Sequence, residues 1–219
     1  MKQAQAVILD LDGLMIDSEP VHQHAFEELL ARHGIDHKFT VEEYGRHFVG
    51  IPVTENAEWL VSRFDLRGAP EELIAEREAI YEALLEDAAN LIPMPGVFTL
   101  LDALRARGLP LGVASGSPRG QVDTILRGLG ITDRFRAIVA GTDVPRTKPA
   151  PDVYLRAAKQ IGVAPARCVA IEDSATGITA AKAAGLYAIA VPNRYTAHQD
   201  LRADARVEGL NQVLPLLVG

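Results

Sequence analysis

The sequence contains one cysteine, Cys168, and therefore cannot form an internal disulfide. The same scarcity excludes a metal site built from several thiolates. Cys168 lies in the apolar segment CVAI, which favours a buried structural thiol over a reactive one. This cysteine usage is most simply explained by a reducing, cytoplasmic location.

Long hydrophobic runs and an excess of positive charge are also missing. The longest uncharged apolar stretch, residues 183–192, is far shorter than the roughly 20 residues that span a bilayer. The first apolar run is interrupted at Asp10, so it does not resemble a signal peptide. The formal net charge of −7 argues against a nucleic-acid or anionic-membrane partner, since both require a basic face. A small anionic substrate is compatible with this charge if a metal ion or local positive charge is present at its site.

The sequence does contain a regular alternation of strand and helix patterns. Short apolar runs rich in β-branched residues predict five buried parallel strands, at residues 6–11, 111–115, 137–141, 168–172 and 187–191. Apolar residues at helical spacing, such as Val97, Leu100, Leu101 and Leu104, lie between most of these runs. The alternation predicts an α/β fold with a doubly wound parallel sheet.

The interval between the first two predicted strands, from Leu11 to Leu111, is much longer than one crossover helix requires. Apolar residues around Phe26, Leu60 and Leu84 follow helical spacing within it. Residues 17–93 are therefore predicted to form a small helical cap domain, inserted into an α/β core made of residues 1–16 and 94–219. We expect the cap to act as a lid that excludes water during the reaction.

Acidic residues follow two of the predicted strands. Asp10 and Asp12 lie at the end of the first strand, and Glu172 and Asp173 lie at the end of the fourth. If these strands are neighbours, up to four carboxylates converge at the edge where open α/β sheets bind ligands. Such a cluster requires a cation, and hard oxygen ligands suit Mg²⁺.

The ends of the second and third predicted strands carry groups that favour an anion. Ser115 and Gly116 end the second strand, and Pro118 is placed to begin a helix, so a hydroxyl and backbone N–H groups are available there. Lys148 follows the third strand and adds a positive charge. Carboxylates, magnesium, an anion site and a lysine together indicate phosphoryl transfer.

Four motifs in this order resemble those of the haloacid dehalogenase-like (HAD) superfamily of phosphatases: DLDGLMID, VASGS, the lysine of TKPAPD, and IEDS. The resemblance covers the full length of the chain, including a helical cap after the first motif. Within the superfamily the chain is most similar to the branch that contains β-phosphoglucomutases and phosphoglycolate phosphatases.

The resemblance implies a role for each motif residue. Asp10 would be the nucleophile that forms an aspartyl-phosphate, and Asp12 the general acid and base. Ser115 and the N–H of Gly116 would hold the phosphate oxygens, while Lys148 would bridge the phosphate and Asp10. The implied Mg²⁺ site combines Asp10, the backbone carbonyl of Asp12, Asp173 and Glu172, and Glu172 is either a direct ligand or one step removed. In the resembling mutases a histidine at the position of His22 assists catalysis, although a packed or solvated histidine fits the pattern equally well.

One departure from the mutases favours hydrolysis. Those enzymes carry a phosphate-binding arginine in a stretch that reads roughly Gly-x-Ser-Arg. This chain reads Gly-Ile-Pro-Val at residues 50–53, so a valine stands at the arginine position. Arg46 and His47 lie nearby in the sequence and are candidate substitutes for the arginine. We therefore expect a phosphatase that acts on a small phosphorylated metabolite such as a sugar phosphate, and a monomer. The alternatives are a hexose-phosphate mutase and a non-catalytic regulator that accepts phosphate on aspartate.

Overall fold

The computed structural model describes residues 4–49, 51 and 53–217, so Gly50 and Pro52 of the compared cap stretch lie outside the described residues. Contacts between Cα atoms divide the chain into two compact units. Ser18–Asn90 form one, which we call the cap unit. The described residues before and after this segment form the other, the core unit.

The core unit is built on a six-stranded parallel sheet with the strand order 3-2-1-4-5-6. The strands are β1 (Ala6–Leu9), β2 (Leu111–Ala114), β3 (Ala137–Val139), β4 (Cys168–Glu172), β5 (Tyr187–Ala190) and β6 (Ala205–Arg206). The predicted α/β fold with a parallel sheet is confirmed. The sequence did not indicate β6, because two residues are too few to show a strand pattern.

Helices of the core unit lie between these strands along the chain: α5 (Val97–Ala106), α6 (Arg119–Gly128), α7 (Asp152–Ile161) and α8 (Ala175–Ala183). A further helix, α9 (Val213–Leu216), follows β6. The helix α7 packs on β1, β2 and β3, whereas α8 packs on β4 and β5. Residues on both faces of β1, such as Val7 and Ile8, are completely buried. A continuous apolar strand of this kind is stable only when both faces of the sheet are covered.

The cap unit contains α1 (Glu19–Arg32), α2 (Val41–His47), α3 (Val53–Phe64) and α4 (Pro70–Leu85). The helices α1 and α3 both pack against α4, around buried residues such as Phe26, Leu60 and Tyr81. The sequence did not indicate α2, because Tyr44 is its one buried residue and no apolar stripe marks it. Instead, the Thr40 hydroxyl accepts a hydrogen bond from Glu43 N at 3.1 Å and fixes the start of this helix.

Across the described part of the chain, no helix combines the length and apolar character needed to cross a membrane.

Candidate active site

The site lies at the carboxyl ends of β1 and β4, which are neighbouring strands. Leu9 pairs with Ile171, and Asp10 N donates a hydrogen bond to Ile171 O at 3.0 Å, so the chain leaves both strands at the same edge. This register brings together carboxylate oxygens of Asp10, Glu172 and Asp173, all within 4.8 Å of one another. The three side chains are buried, although carboxylates normally lie in water.

Lys148 supplies positive charge to this cluster. Its Nζ lies 2.5 Å from Asp10 Oδ1 and 2.6 Å from Glu172 Oε1. Burial and the Glu172 carboxylate raise the pKa of Asp10 to about 7, against the opposing effect of Lys148. Burial alone would lower the pKa of Lys148, but the two carboxylates outweigh it and hold this pKa above its usual value. Lys148 is therefore the ionised partner of the cluster.

Three side chains from separate parts of the core unit donate hydrogen bonds to Glu172. Besides Lys148, the Tyr154 hydroxyl donates to Oε1 at 2.6 Å, and the Ser174 hydroxyl donates to Oε2 at 3.2 Å. Burial and Glu172 raise the pKa of Tyr154 well above its usual value, so the phenol stays protonated and can donate. Gly177 makes room for this carboxylate, because a Cβ there would lie 2.0 Å from it. The sequence pattern assigned Tyr154 only to the apolar face of a helix, and its hydroxyl was the one signal of a polar role.

Asp12 contacts the loop that follows β2. Ser117 Oγ donates to Asp12 Oδ2 at 2.7 Å, and Ser115 Oγ lies 3.4 Å from the same oxygen. Ser115 is buried, and its hydroxyl accepts a hydrogen bond from Ser117 N at 3.0 Å, while Gly116 is exposed. Within the described chain, Asp12 Oδ1 is buried and has no hydrogen-bond partner. An unpaired buried oxygen of this kind indicates a missing ligand, since leaving it unpaired is costly.

Asp173 contacts a side chain that the sequence analysis did not single out. Asn193, after β5, donates from Nδ2 to Asp173 Oδ2 at 2.9 Å and to Gly13 O at 3.0 Å. Gly13 has a φ of +73°, and a Cβ there would lie 2.6 Å from Asp173 Oδ2. The backbone after Asp12 can therefore approach Asp173 only because residue 13 is glycine.

His22 lies in the cap unit, on α1. Its ring stacks on Tyr81 at a centroid distance of 4.0 Å, and its Nδ1 forms a hydrogen bond with the Arg77 guanidinium. Burial and Arg77 hold the pKa of His22 well below its usual value, so the imidazole is neutral near pH 7. Arg77 is itself buried, and within the described chain its Nε has no hydrogen-bond partner. The sequence analysis did not identify Arg77, because it lies in a helix rich in charged residues.

The proposed substitutes for the mutase arginine are engaged within the cap unit. Arg46 pairs with Glu42 at 2.7 Å on the exposed face of α2. His47 stacks on Trp59 at a centroid distance of 4.3 Å. Arg77 is also engaged within the cap unit, because its guanidinium pairs with Glu78 at 2.6 Å.

The donor set of the core unit fits a divalent cation. Asp10, Glu172 and Asp173 provide three carboxylates, while Lys148 provides one compensating charge within the cluster. The remaining negative charge and the purely oxygen donor set are suited to a hard ion such as Mg²⁺ or Ca²⁺.

Comparison with known proteins places this geometry in a family. A family model described as "haloacid dehalogenase-like hydrolase" matches residues 4–185. Protein CbbY of Rhodobacter capsulatus is 34% identical, covering 95% of both chains, and hexitol phosphatase B of Escherichia coli is 33% identical, covering 87% of this chain and 85% of that one. The crystal structure of a CbbY variant from Rhodobacter sphaeroides in complex with xylulose-(1,5)bisphosphate superimposes with a TM-score of 0.79, at 28% identity, covering 95% of this chain and 96% of that one. On its motifs, fold and these matches, the chain belongs to the haloacid dehalogenase-like hydrolases, in the branch with a helical cap.

Proposed function

We propose that the protein is a Mg²⁺-dependent phosphatase that hydrolyses a small phosphomonoester through an aspartyl-phosphate on Asp10. The observation that carries the proposal is the convergence of Asp10, Lys148, Glu172 and Asp173 at the ends of two adjacent strands. Three buried carboxylates with one lysine form an arrangement that would be unstable without a further cation. Relatives named as phosphatases support the same reaction.

Mg²⁺ would be held by the carboxylates of Asp10 and Asp173 and by the backbone carbonyl of Asp12. We place Glu172 behind these ligands, because both of its oxygens already accept hydrogen bonds from Lys148, Tyr154 and Ser174. The bound ion would screen the repulsion between the Asp10 carboxylate and an anionic phosphate.

In the first step, an Asp10 carboxylate oxygen attacks phosphorus, and the bond from phosphorus to the leaving oxygen breaks. Asp12, acting as the general acid, transfers a proton to the leaving oxygen, which departs as an alcohol. We assign this transfer to Asp12 Oδ1, because it has no hydrogen-bond partner in the described chain, whereas the Ser115 and Ser117 hydroxyls contact Oδ2.

In the second step, the ionised Asp12 removes a proton from water as the water oxygen attacks phosphorus. The bond between phosphorus and Asp10 breaks, inorganic phosphate leaves, and both carboxyl groups return to their starting states. We assign Ser115, Gly116 N–H and Lys148 to hold the phosphate oxygens in both steps.

The substrate that we propose is a phosphorylated sugar or a related polyol. Hexitol phosphatase B carries such a substrate in its name, and the CbbY variant binds a sugar bisphosphate. We also predict that the protein is cytoplasmic and monomeric.

A hexose-phosphate mutase remains the second candidate, and Arg77 is the observation that favours it. A mutase must hold a second phosphate, and a guanidinium can donate to one. In the described chain the terminal nitrogens of Arg77 contact Glu78 and His22, and Nε has no hydrogen-bond partner. The two candidates are separated by adding a sugar bisphosphate together with a hexose 1-phosphate. A mutase uses the bisphosphate to prime isomerisation, whereas a phosphatase consumes it and releases phosphate.

The proposal is tested by phosphate release from a panel of sugar and polyol phosphates and an aryl phosphate, with Mg²⁺ and then with a chelator. We expect release from the native protein, its loss on chelation, and a decrease of at least about 10⁴-fold in Asp10→Asn, since the nucleophile is gone. Asp200→Asn is the matched control, because it makes the same change in an exposed ion pair with Arg202.

Undiminished turnover in Asp10→Asn would refute the proposed mechanism. Reversible phosphate transfer to Asp10 without turnover of any ester, the aryl phosphate included, would instead identify the non-catalytic regulator.

A further inference from the structure

We propose that Asn193 is a positioning residue that orients Asp173 for the metal ion. This inference rests on the Mg²⁺ site proposed above. Asn193 lies outside the four motifs, in the turn after β5, and the strand order places β5 directly beside β4. Its side chain therefore reaches the site from a third strand end.

The hydrogen bonds of Asn193 fix the direction of its amide group. Oδ1 accepts from Tyr195 N at 2.8 Å and from Thr196 N at 3.1 Å, so the oxygen faces its own turn. Nδ2 then faces the site, where its two hydrogens are donated to Asp173 Oδ2 and Gly13 O. An amide has two acceptor positions on oxygen and two donor hydrogens on nitrogen, and here all of them are used. The opposite orientation of the amide would place oxygen against oxygen at both Asp173 and Gly13.

This geometry joins three loops of the core unit. The bond to Gly13 O connects the turn after β5 with the loop after β1, and the bond to Asp173 connects it with the end of β4. Arg194, the next residue, pairs with Asp17 Oδ2 at 3.0 Å and forms a second contact between this turn and the loop after β1. The loop that carries Asp10 and Asp12 and the carboxylate of Asp173 are thus held at a fixed separation.

Asn193 lines a cavity of about 500 Å³ in the core unit, together with Gly13 and Arg194, so its side chain is not packed on all sides. Its hydrogen bonds therefore determine its position. The contact of Asn193 with Oδ2 would fix the orientation of the Asp173 carboxylate towards the metal ion. Hydrogen-bond partners of ligating carboxylates set ligand orientation, and their loss typically weakens metal binding about 10–100-fold.

The test compares Asn193→Ser with Thr196→Val. A serine hydroxyl can accept the N–H groups of the turn but is too short to reach Asp173. Thr196→Val removes the hydroxyl that accepts from Asn193 N at 3.1 Å, so it weakens the same turn and leaves the Asp173 contact in place. Binding of Mg²⁺ alone is measured by calorimetry, and kcat is measured as a function of Mg²⁺ concentration.

We expect the Mg²⁺ dissociation constant to rise about 10–100-fold in Asn193→Ser and to change less than about threefold in Thr196→Val. The activity of Asn193→Ser should recover at high Mg²⁺, because the ion itself then orients Asp173. A purely structural defect would lower kcat at every Mg²⁺ concentration. Native-like Mg²⁺ affinity in Asn193→Ser, or equal weakening in both variants, would overturn the inference while leaving the proposed function intact. Failure of the native protein to bind Mg²⁺ would overturn both.

Discussion

The candidate site holds three buried carboxylates but one lysine, so its negative charge is not balanced by side chains of the cluster. Lys148 contacts Asp10 and Glu172 directly, yet the pKa of Asp10 is still raised to about 7 by burial and by Glu172. A nucleophilic carboxylate must be ionised, and a further positive charge would lower this pKa and favour the ionised form. The proposed metal ion would have this effect on Asp10, and we therefore expect catalysis to depend on metal binding.

At the single cysteine, Cys168, burial lowers the reactivity of the side chain instead of preparing it for a reaction. Burial raises the pKa of Cys168 to about 11. Its Sγ lies 3.5 Å from Ala164 O, a contact that a thiol can make as a donor and a thiolate cannot. The sequence-based interpretation of Cys168 as a buried thiol agrees with its 1% exposure.

We predict that Cys168 reacts very slowly with thiol reagents in the folded protein. At pH 8 a pKa near 11 leaves only about a thousandth of the thiol ionised, and burial limits access further. Labelling with a chromogenic disulfide should be slow in buffer, should accelerate as the pH rises towards 11, and should be fast in urea. Labelling of the folded protein at the rate of free cysteine would contradict the structure.

At the scale of elements, the site is made by strand ends and by the glycines that allow the chain to pass close to them. The strands β1 and β4 place Asp10 and Glu172 side by side through their register. The helix α8 begins at Ala175, directly after the acidic pair, with Ser174 as its N-cap residue. Gly177, in the first turn of this helix, lies against the Glu172 carboxylate. The close contact between this turn and β4 requires a residue without a side chain.

We predict that Gly177→Ala destabilises the core unit and reduces activity. The added Cβ would lie 2.0 Å from the Glu172 carboxylate, which cannot move freely because Lys148, Tyr154 and Ser174 hold it. Overpacking of this kind costs about 1–3 kcal/mol, which urea unfolding would measure.

Gly120→Ala is the matched control for this prediction. Gly120 also lies in the first turn of a helix, α6, but apart from its chain neighbours and its own helix backbone no atom comes within 4 Å of the position of its Cβ. This substitution should be neutral or stabilise by up to about 1 kcal/mol, because alanine is a better helix former. Equal effects at the two positions would contradict the account of Gly177.

At the scale of the whole molecule, the sequence predicts the framework better than the connections between loops. The alternation of apolar strands and amphipathic helices is strong enough to predict the α/β core, and the long interval after β1 indicates the helical cap. Element ends are less well predicted: β1 ends at Leu9 rather than at residue 11, because Leu11 O accepts hydrogen bonds from the turn that follows. The short elements α2 and β6 carry too few residues for a pattern.

The residues of the candidate site likewise divide into those that the sequence indicates and those that only the structure reveals. The sequence alone was enough to propose a set of site residues, because each lies at or after the end of a predicted strand: Asp10, Asp12, Lys148, Glu172 and Asp173. Tyr154 and Asn193 could not, because one lies on a helix face that reads as core and the other in a turn beyond the last long strand. Their roles depend on side-chain contacts across the sheet, and only the three-dimensional arrangement shows those contacts.

The measurement that tests the central claim most directly is detection of a phosphoryl group on Asp10. The variant Asp12→Asn should still form the acyl phosphate from an aryl phosphate, whose leaving group needs little protonation, but should fail to activate water for its hydrolysis. After an acid quench, intact-mass analysis should show one added phosphoryl group, and peptide mapping should place it on Asp10, with none in the Asp10→Asn, Asp12→Asn double variant. The account would be contradicted if the native protein released phosphate but neither it nor Asp12→Asn carried a phosphoryl group. A phosphoryl group on a residue other than Asp10 would contradict it as well.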